Sequence, residues 1–123
     1  MKSKKQTLVV GKEHAASVLG SGVLNVFATP AMVAFMENTA SKVIDDLEEG
    51  HTSVGIEINV KHLKASRIGE KVACKATLIK HEGRIYEFEI EVSDSTGDTI
   101  GTATHKRAAV EIERFMRKVN GGG

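Results

Sequence analysis

The sequence predicts an α+β fold in which one long central helix is wrapped by a curved antiparallel sheet. Three observations carry the expectation. Thr29-Pro30 opens an apolar run with the start chemistry of a helix, several later segments alternate apolar and polar residues with period two, and short turn signals separate them without a linker or an internal repeat.

Along the chain, residues 6–10 read as a short edge strand and residues 13–19 as one or two helical turns, broken by Gly20, Ser21 and Gly22. Thr29 is a suitable N-cap and Pro30 suits the first helical position, so a helix is expected over residues 30–48, stopping near Gly50. Ala31, Met32, Val33, Ala34, Phe35 and Met36 leave no polar face in its first two turns. Lys42, Asp45, Asp46, Glu48 and Glu49 give the last two a wet side. The N-terminal half is therefore expected to be buried all round.

Val54, Ile56, Ile58 and Val60 alternate with Gly55, Glu57, Asn59 and Lys61, the pattern of a half-buried strand, and His62 continues the apolar parity. Val72, Cys74, Ala76 and Leu78 predict a second such strand and Tyr86, Phe88, Ile90 and Val92 a third, with a turn at Glu82-Gly83 between them. A turn at 94–98 leads to residues 99–112, long enough for a strand bent by a bulge, and 121–123 read as a flexible tail. A single sheet around one helix leaves strand edges and one helix flank uncovered, so two copies are expected to pair edge to edge.

The length of 123 residues fits one domain, and 41% hydrophobic with 27% charged residues is too apolar for disorder. A net charge of +1, with the signs interspersed beyond the opening lysines, argues against nucleic acid as a partner. No apolar stretch approaches the roughly 20 residues that span a bilayer, and no apolar segment follows the first lysines, so a cytoplasmic protein is expected. Cys74 is the single cysteine, which excludes an intrachain disulfide; its place among alternating apolar residues predicts a buried spectator.

Thr29, Glu37 and His62 depart from their local patterns and together could share a proton relay. Glu37 shares a helix face with Val33, Ala40 and Ile44, where an ionised carboxylate needs partners or takes up a proton; the alternative is that it snorkels to solvent beside Asn38. His62 stands where strand parity would place Val or Ile, able to donate from one nitrogen, accept at the other and contact Glu37; the alternative is a satisfied strand-end histidine. Thr29 is adequately explained as an N-cap, with or without a second task. His14, His51 and His81 fall in loop or turn stretches and read as solvated. His105 opens the basic run His105-Lys106-Arg107 inside the last strand, either on a solvated face or answering an anion. Neither His-Glu-x-x-His nor paired Cys-x-x-Cys occurs, so no bound metal or cofactor is expected.

Three blocks in order carry a wider similarity: Val26-Phe27-Ala28-Thr29-Pro30 leading to Glu37; Gly55 with Val60-Lys61-His62; and Gly101-Thr102-Ala103-Thr104-His105-Lys106-Arg107 running to Glu113-Arg114-Phe115. In these the chain resembles the hotdog-fold acyl-CoA thioesterases, specifically the group typified by fluoroacetyl-CoA thioesterase. The resemblance implies Thr29, Glu37 and His62 as the catalytic threonine, glutamate and histidine, with Gly55 and Arg107 near the acyl pocket. It also implies that residues 21–27, including Val23 and Phe27, form a lid over the substrate. The implied reaction is hydrolysis of an acyl-CoA thioester to the free acid and coenzyme A, without a cofactor beyond the coenzyme A of the substrate. Glu37 would be general base or nucleophile, and His62 would hold it or the water and protonate the leaving thiolate. Main-chain N–H groups near the helix start and Gly55 are candidate oxyanion donors, Pro30 supplying none. The implied assembly is a homodimer, or a tetramer of such pairs, with no membrane partner. Lys61, Lys64, Arg67, Lys80 and Arg84 are candidates to steer the coenzyme phosphates. The alternatives are an acyl-CoA or lipid-binding module without catalysis, and a hotdog hydratase or dehydratase.

Overall fold

The computed structural model describes residues 2–122. Strand β1 (Ser3–Val9) is followed by a 3-10 turn (Lys12–His14), a single-turn helix α1 (Ala16–Leu19) and the central helix α2 (Thr29–Ser41). Strands β2 (His51–His62), β3 (Lys71–Glu82), β4 (Ile85–Ser93) and β5 (Thr99–Glu111) come next, and helix α3 (Ile112–Val119) closes the chain. The five strands form one antiparallel sheet in the order β1-β3-β4-β5-β2, which leaves β1 and β2 as its edges.

The alternation read from sequence sets the core. Val72, Cys74 and Ala76 of β3, and Tyr86, Phe88, Ile90 and Val92 of β4, face α2, and all are buried together with Met32, Met36 and Ala40 of the helix. Gly101 of β5 lets the helix come close: a Cβ there would sit 2.6 Å from the Met32 sulfur. Glu82 pairs with Ile85 across a two-residue loop, where Gly83 takes φ +60 and its successor does not, as a type II′ turn requires.

Several expectations are corrected. Helix α2 ends at Ser41, well before Gly50. Val43 and Ile44 are β-branched, and Asp45 and Asp46 are drawn away to Lys2, just before β1, and, at 3.0 Å, to the Tyr86 hydroxyl on β4. Those ties pull the chain across the end of the sheet instead of continuing the helix. The N-cap is Ala28, with Thr29 the first helical residue, and no side chain caps the helix. The N-terminal half is apolar all round but covered on one side only: Met32 and Met36 are buried, Val33 is half-buried and Ala34 is exposed.

The strands carry irregularities that composition alone hides. Register shifts leave Ile56 of β2, Ile79 of β3 and Ile100 of β5 as extra residues opposite the neighbouring strand, so Ile56, expected inward, is 53% exposed. Beyond β5 the chain turns into α3, where only a strand end was expected. Its apolar residues Ile112, Phe115, Met116 and Val119 recur at helical spacing. Within the stretch read as a flexible tail, Gly121 (φ +79) and Gly122 close α3: their N–H groups donate to the Lys118 and Arg117 carbonyls at 3.1 and 2.7 Å, a Schellman cap. Gly123 lies outside the described residues.

Candidate active site

Because Ala28 takes the capping position, the Thr29 hydroxyl is free for another partner. It lies 2.7 Å from Nδ1 of His62, the last residue of β2. Burial lowers the affinity of His62 for a proton below that of a free imidazole; the Lys64 main chain opposes this weakly, without a hydrogen bond that satisfies Nε2. The ring is thus held neutral near pH 7. Its Nε2 is buried and has no hydrogen-bond partner among the described residues. Phe27, 1% exposed, fixes the ring from the side with its centroid 6.4 Å away and the planes at 81°. A hydroxyl and a neutral imidazole in this arrangement can pass a proton in either direction.

Glu37 belongs to a second cluster. A Cβ on Gly55 would lie 2.7 Å from Glu37 Oε2, 3.3 Å from His105 Cε1 and 3.5 Å from Arg107 Nη1, so the carboxylate, the imidazole edge and the guanidinium converge where Gly55 has no side chain. Register explains the meeting, since Gly55 pairs with Arg107 across β2 and β5. Arg107 donates from Nε to Ser53 Oγ at 2.8 Å and from Nη2 to the Ser53 carbonyl at 3.0 Å. Desolvation lowers the Arg107 pKa below its ordinary value, and the Glu37 charge works in the opposite direction. Glu37 itself is half-buried, and no ion pair to it forms within the protomer among the described residues.

Within one protomer, then, His62 pairs with Thr29, and Glu37 packs at Gly55 beside Arg107. Eight residues along α2 separate Thr29 from Glu37, a rise of about 12 Å at 1.5 Å per residue. A cleft of about 320 Å³ opens beside the first cluster, lined by Phe27, Ala28, Thr29, His62 and Lys64 among others. Val23, expected over the substrate, is 89% exposed and does not line this cleft. Among the candidate cations, Lys64 is held by Asp94 and Asp98 at 2.7 and 2.8 Å, Lys80 is paired with Glu82 and Glu87, and Arg67 with Glu70.

Three histidines differ from their expected surroundings. His14 is half-buried rather than solvated: its Nδ1 accepts the Gly11 N–H at 2.8 Å and its ring meets Phe27 edge-on. His105, for which a solvated strand face was one reading, is 2% exposed. Its Nδ1 donates to the Glu57 carbonyl at 2.8 Å, which leaves Nε2 of the neutral ring to accept from Arg107 Nη1 at 3.3 Å. Burial disfavours its protonated form, the hydrogen bond to the Glu57 carbonyl opposes this, and the smaller effects of the Arg107 and Glu37 charges act in opposite directions. Ser53 was not singled out in the sequence; its only signal was its place opposite Arg107's strand. His51, expected solvated in a loop, is half-buried at the start of β2 with its Nδ1 3.2 Å from the Glu49 carbonyl, and His81 is exposed but stacks on Tyr86 at 3.9 Å.

A family profile described as fluoroacetyl-CoA-specific thioesterase matches residues 10–113. The fluoroacetyl-CoA thioesterase of Streptantibioticus cattleyicolor is 38% identical over 95 residues, which span 76% of this chain and 68% of that one. A solved structure of a fluoroacetyl-CoA thioesterase superposes with a TM-score of 0.93 at 30% identity, covering 99% of this chain and 95% of that one. A threonine-to-alanine variant of that enzyme has been solved with fluoroacetate, and another variant with fluoroacetate and CoA. A hot-dog-like protein from Thermanaerovibrio acidaminovorans, at 21% identity, shares the fold, with a TM-score of 0.85 over 95% of this chain and 87% of that one.

Proposed function

We propose that this chain, which belongs to the fluoroacetyl-CoA-specific thioesterase family, hydrolyses an acyl-CoA thioester to the free acid and coenzyme A. The observation that carries the reading is the 2.7 Å contact between the Thr29 hydroxyl and His62 Nδ1, made by a threonine that does not cap its helix. Thr29 orients the imidazole. His62, neutral near pH 7, takes up the proton that the attacking water gives up and passes it to the departing thiolate. Glu37 activates water as general base or attacks the carbonyl itself, and Arg107 keeps a positive charge beside it. The reaction draws on no cofactor.

The rise between Thr29 and Glu37 along α2 favours a site completed by a second copy. Glu37 of the partner subunit then meets Thr29 and His62 of the first, by the same two-fold operation that completes the second site. The half-covered flank of α2, with Val33 and Ala34, and the β2 edge, with exposed Ile56, are the surfaces we assign to this homodimer. The β1 edge, carrying Lys4 and Lys5, is less suited to pairing. No helix among the described residues is long and apolar enough to cross a membrane, and we place the protein in the cytoplasm.

The test is thiol release from a panel of acyl-CoA esters of graded length. Turnover is expected with at least one ester, and Glu37→Gln or His62→Ala abolishes it while the dimer stays folded. Wild-type-like rates in either variant contradict the assignment. Saturable acyl-CoA binding with no thiol release would instead make the protein a binding module.

A further inference from the structure

We propose that His105 is a positioning residue, a buried neutral imidazole that locks the Arg107 guanidinium beside Glu37. The inference rests on the thioesterase reading for its kinetic consequence and on the geometry alone for the lock itself. The β2 bulge interrupts the ladder between Gly55 and Glu57, and the Glu57 carbonyl there accepts from His105 Nδ1 at 2.8 Å. A carbonyl can only accept, so Nδ1 carries the proton and Nε2 presents a lone pair. Arg107 can only donate, and its Nη1 lies 3.3 Å from that lone pair. The opposite tautomer would set N–H against N–H. The buried carbonyl thereby fixes which nitrogen faces the guanidinium.

The chain of contacts runs Glu57 carbonyl, His105, Arg107, Ser53, and so ties together the two sides of Gly55 on β2. Three of the five guanidinium N–H groups are engaged in it, which removes most of the rotational freedom of a long side chain. Phe88 packs against the imidazole from β4, with ring centroids 6.0 Å apart, and leaves it no other polar partner on that side. Gly55, in the middle of this frame, leaves space that the Glu37 carboxylate enters. A cation held this way keeps its charge at one position relative to the carboxylate throughout turnover, without reorganising as charge develops.

Three variants of the full chain separate positioning from bulk. His105→Phe fills the volume but has no lone pair, and His105→Asn can keep the donor to Glu57 while losing the acceptor to Arg107. His105→Gln can place an oxygen where Nε2 stood. In acyl-CoA thiol release, Phe and Asn are expected to lower kcat by about 10-fold or more with KM changed by less than about 3-fold, and Gln to recover to within about 3-fold of wild type. In an Arg107→Ala background, His105→Phe should cost nothing further, because the imidazole acts through the guanidinium. Equal losses for Gln and Phe, or losses that add to that of Arg107→Ala, overturn the proposal. NMR of the guanidinium N–H signals reads the lock without catalysis: protection from solvent exchange is expected in wild type and His105→Gln and its loss in His105→Phe. Unchanged protection in His105→Phe overturns the proposal even if no acyl-CoA is hydrolysed. Wild type without thiol release but with this protection pattern sinks the thioesterase reading and leaves the lock standing.

Discussion

Glu37 Oε2 occupies the space in which a side chain on Gly55 would begin, 2.7 Å from where its Cβ would stand. The depth of the carboxylate in its notch is therefore set by a missing side chain on the facing strand. Gly55→Ala should fold, since Gly55 has no positive φ and the atom it displaces is the end of a flexible side chain. The displaced carboxylate should lower kcat/KM by about 10-fold or more, with a stability change within about 1 kcal/mol. Thermal denaturation and thiol release on the same sample check both; full activity would contradict the role given to the notch.

Thr29 separates capping from catalysis. A threonine N-cap replaced by a residue without a hydroxyl costs about 1 kcal/mol, whereas Thr29 stands one position inside the helix and makes no capping bond. Thr29→Val should change stability by less than about 0.5 kcal/mol and lose most activity, while Thr29→Ser retains it. Urea unfolding beside the rate measurement distinguishes the two.

Acid should weaken both the fold and its activity through histidines. Burial lowers the pKa of His62 and of His105 below the model-peptide value of 6.5. Below that value the unfolded chain takes up protons that the folded one refuses, so stability is full above about pH 6.5 and declines as pH falls through the folded pKa values. The rate should fall with the neutral fraction of His62. Urea midpoints from pH 7.5 to 5 should decrease, and His62→Gln should flatten part of the slope; midpoints rising towards pH 5 would contradict the burial argument.

Cys74 is fully buried, and desolvation pushes its thiol up to about 11. A thiol reagent used to follow coenzyme A release should leave it untouched in the native protein and label it after unfolding in guanidinium. Rapid labelling of the native state would show that the core under β3 opens.

Most of the sheet was legible because Val72 to Leu78 and Tyr86 to Val92 alternate and Gly83 and Gly97 mark the turns. The bulge expected in the last strand is present at Ile100, but those at Ile56 and Ile79 were not legible. Each extra residue is an isoleucine, and Ile56 even keeps the alternation of residue types while the register slips. The end of α2 was hidden for another reason: no glycine marks it, and what stops the helix are ties from Asp45 and Asp46 to residues distant in sequence. The Thr29 and His62 pairing was readable as two local anomalies, although the capping argument for Thr29 was one residue out of place. The surroundings of Glu37 were not readable, because Gly55, His105 and Arg107 meet it only through the shifted pairing of β2 with β5. Histidine in a basic run looks solvated until that pairing buries it.

Complementation of two inactive variants tests the central account most directly, namely that a carboxylate and an imidazole from different copies share one site. Glu37→Gln and His62→Ala are each purified, mixed under conditions that exchange subunits, and measured for acyl-CoA thiol release. A shared site predicts recovery to about a quarter of the wild-type rate, since half of the dimers are mixed and each of those holds one intact site. No recovery in a mixture shown to contain mixed dimers would contradict it.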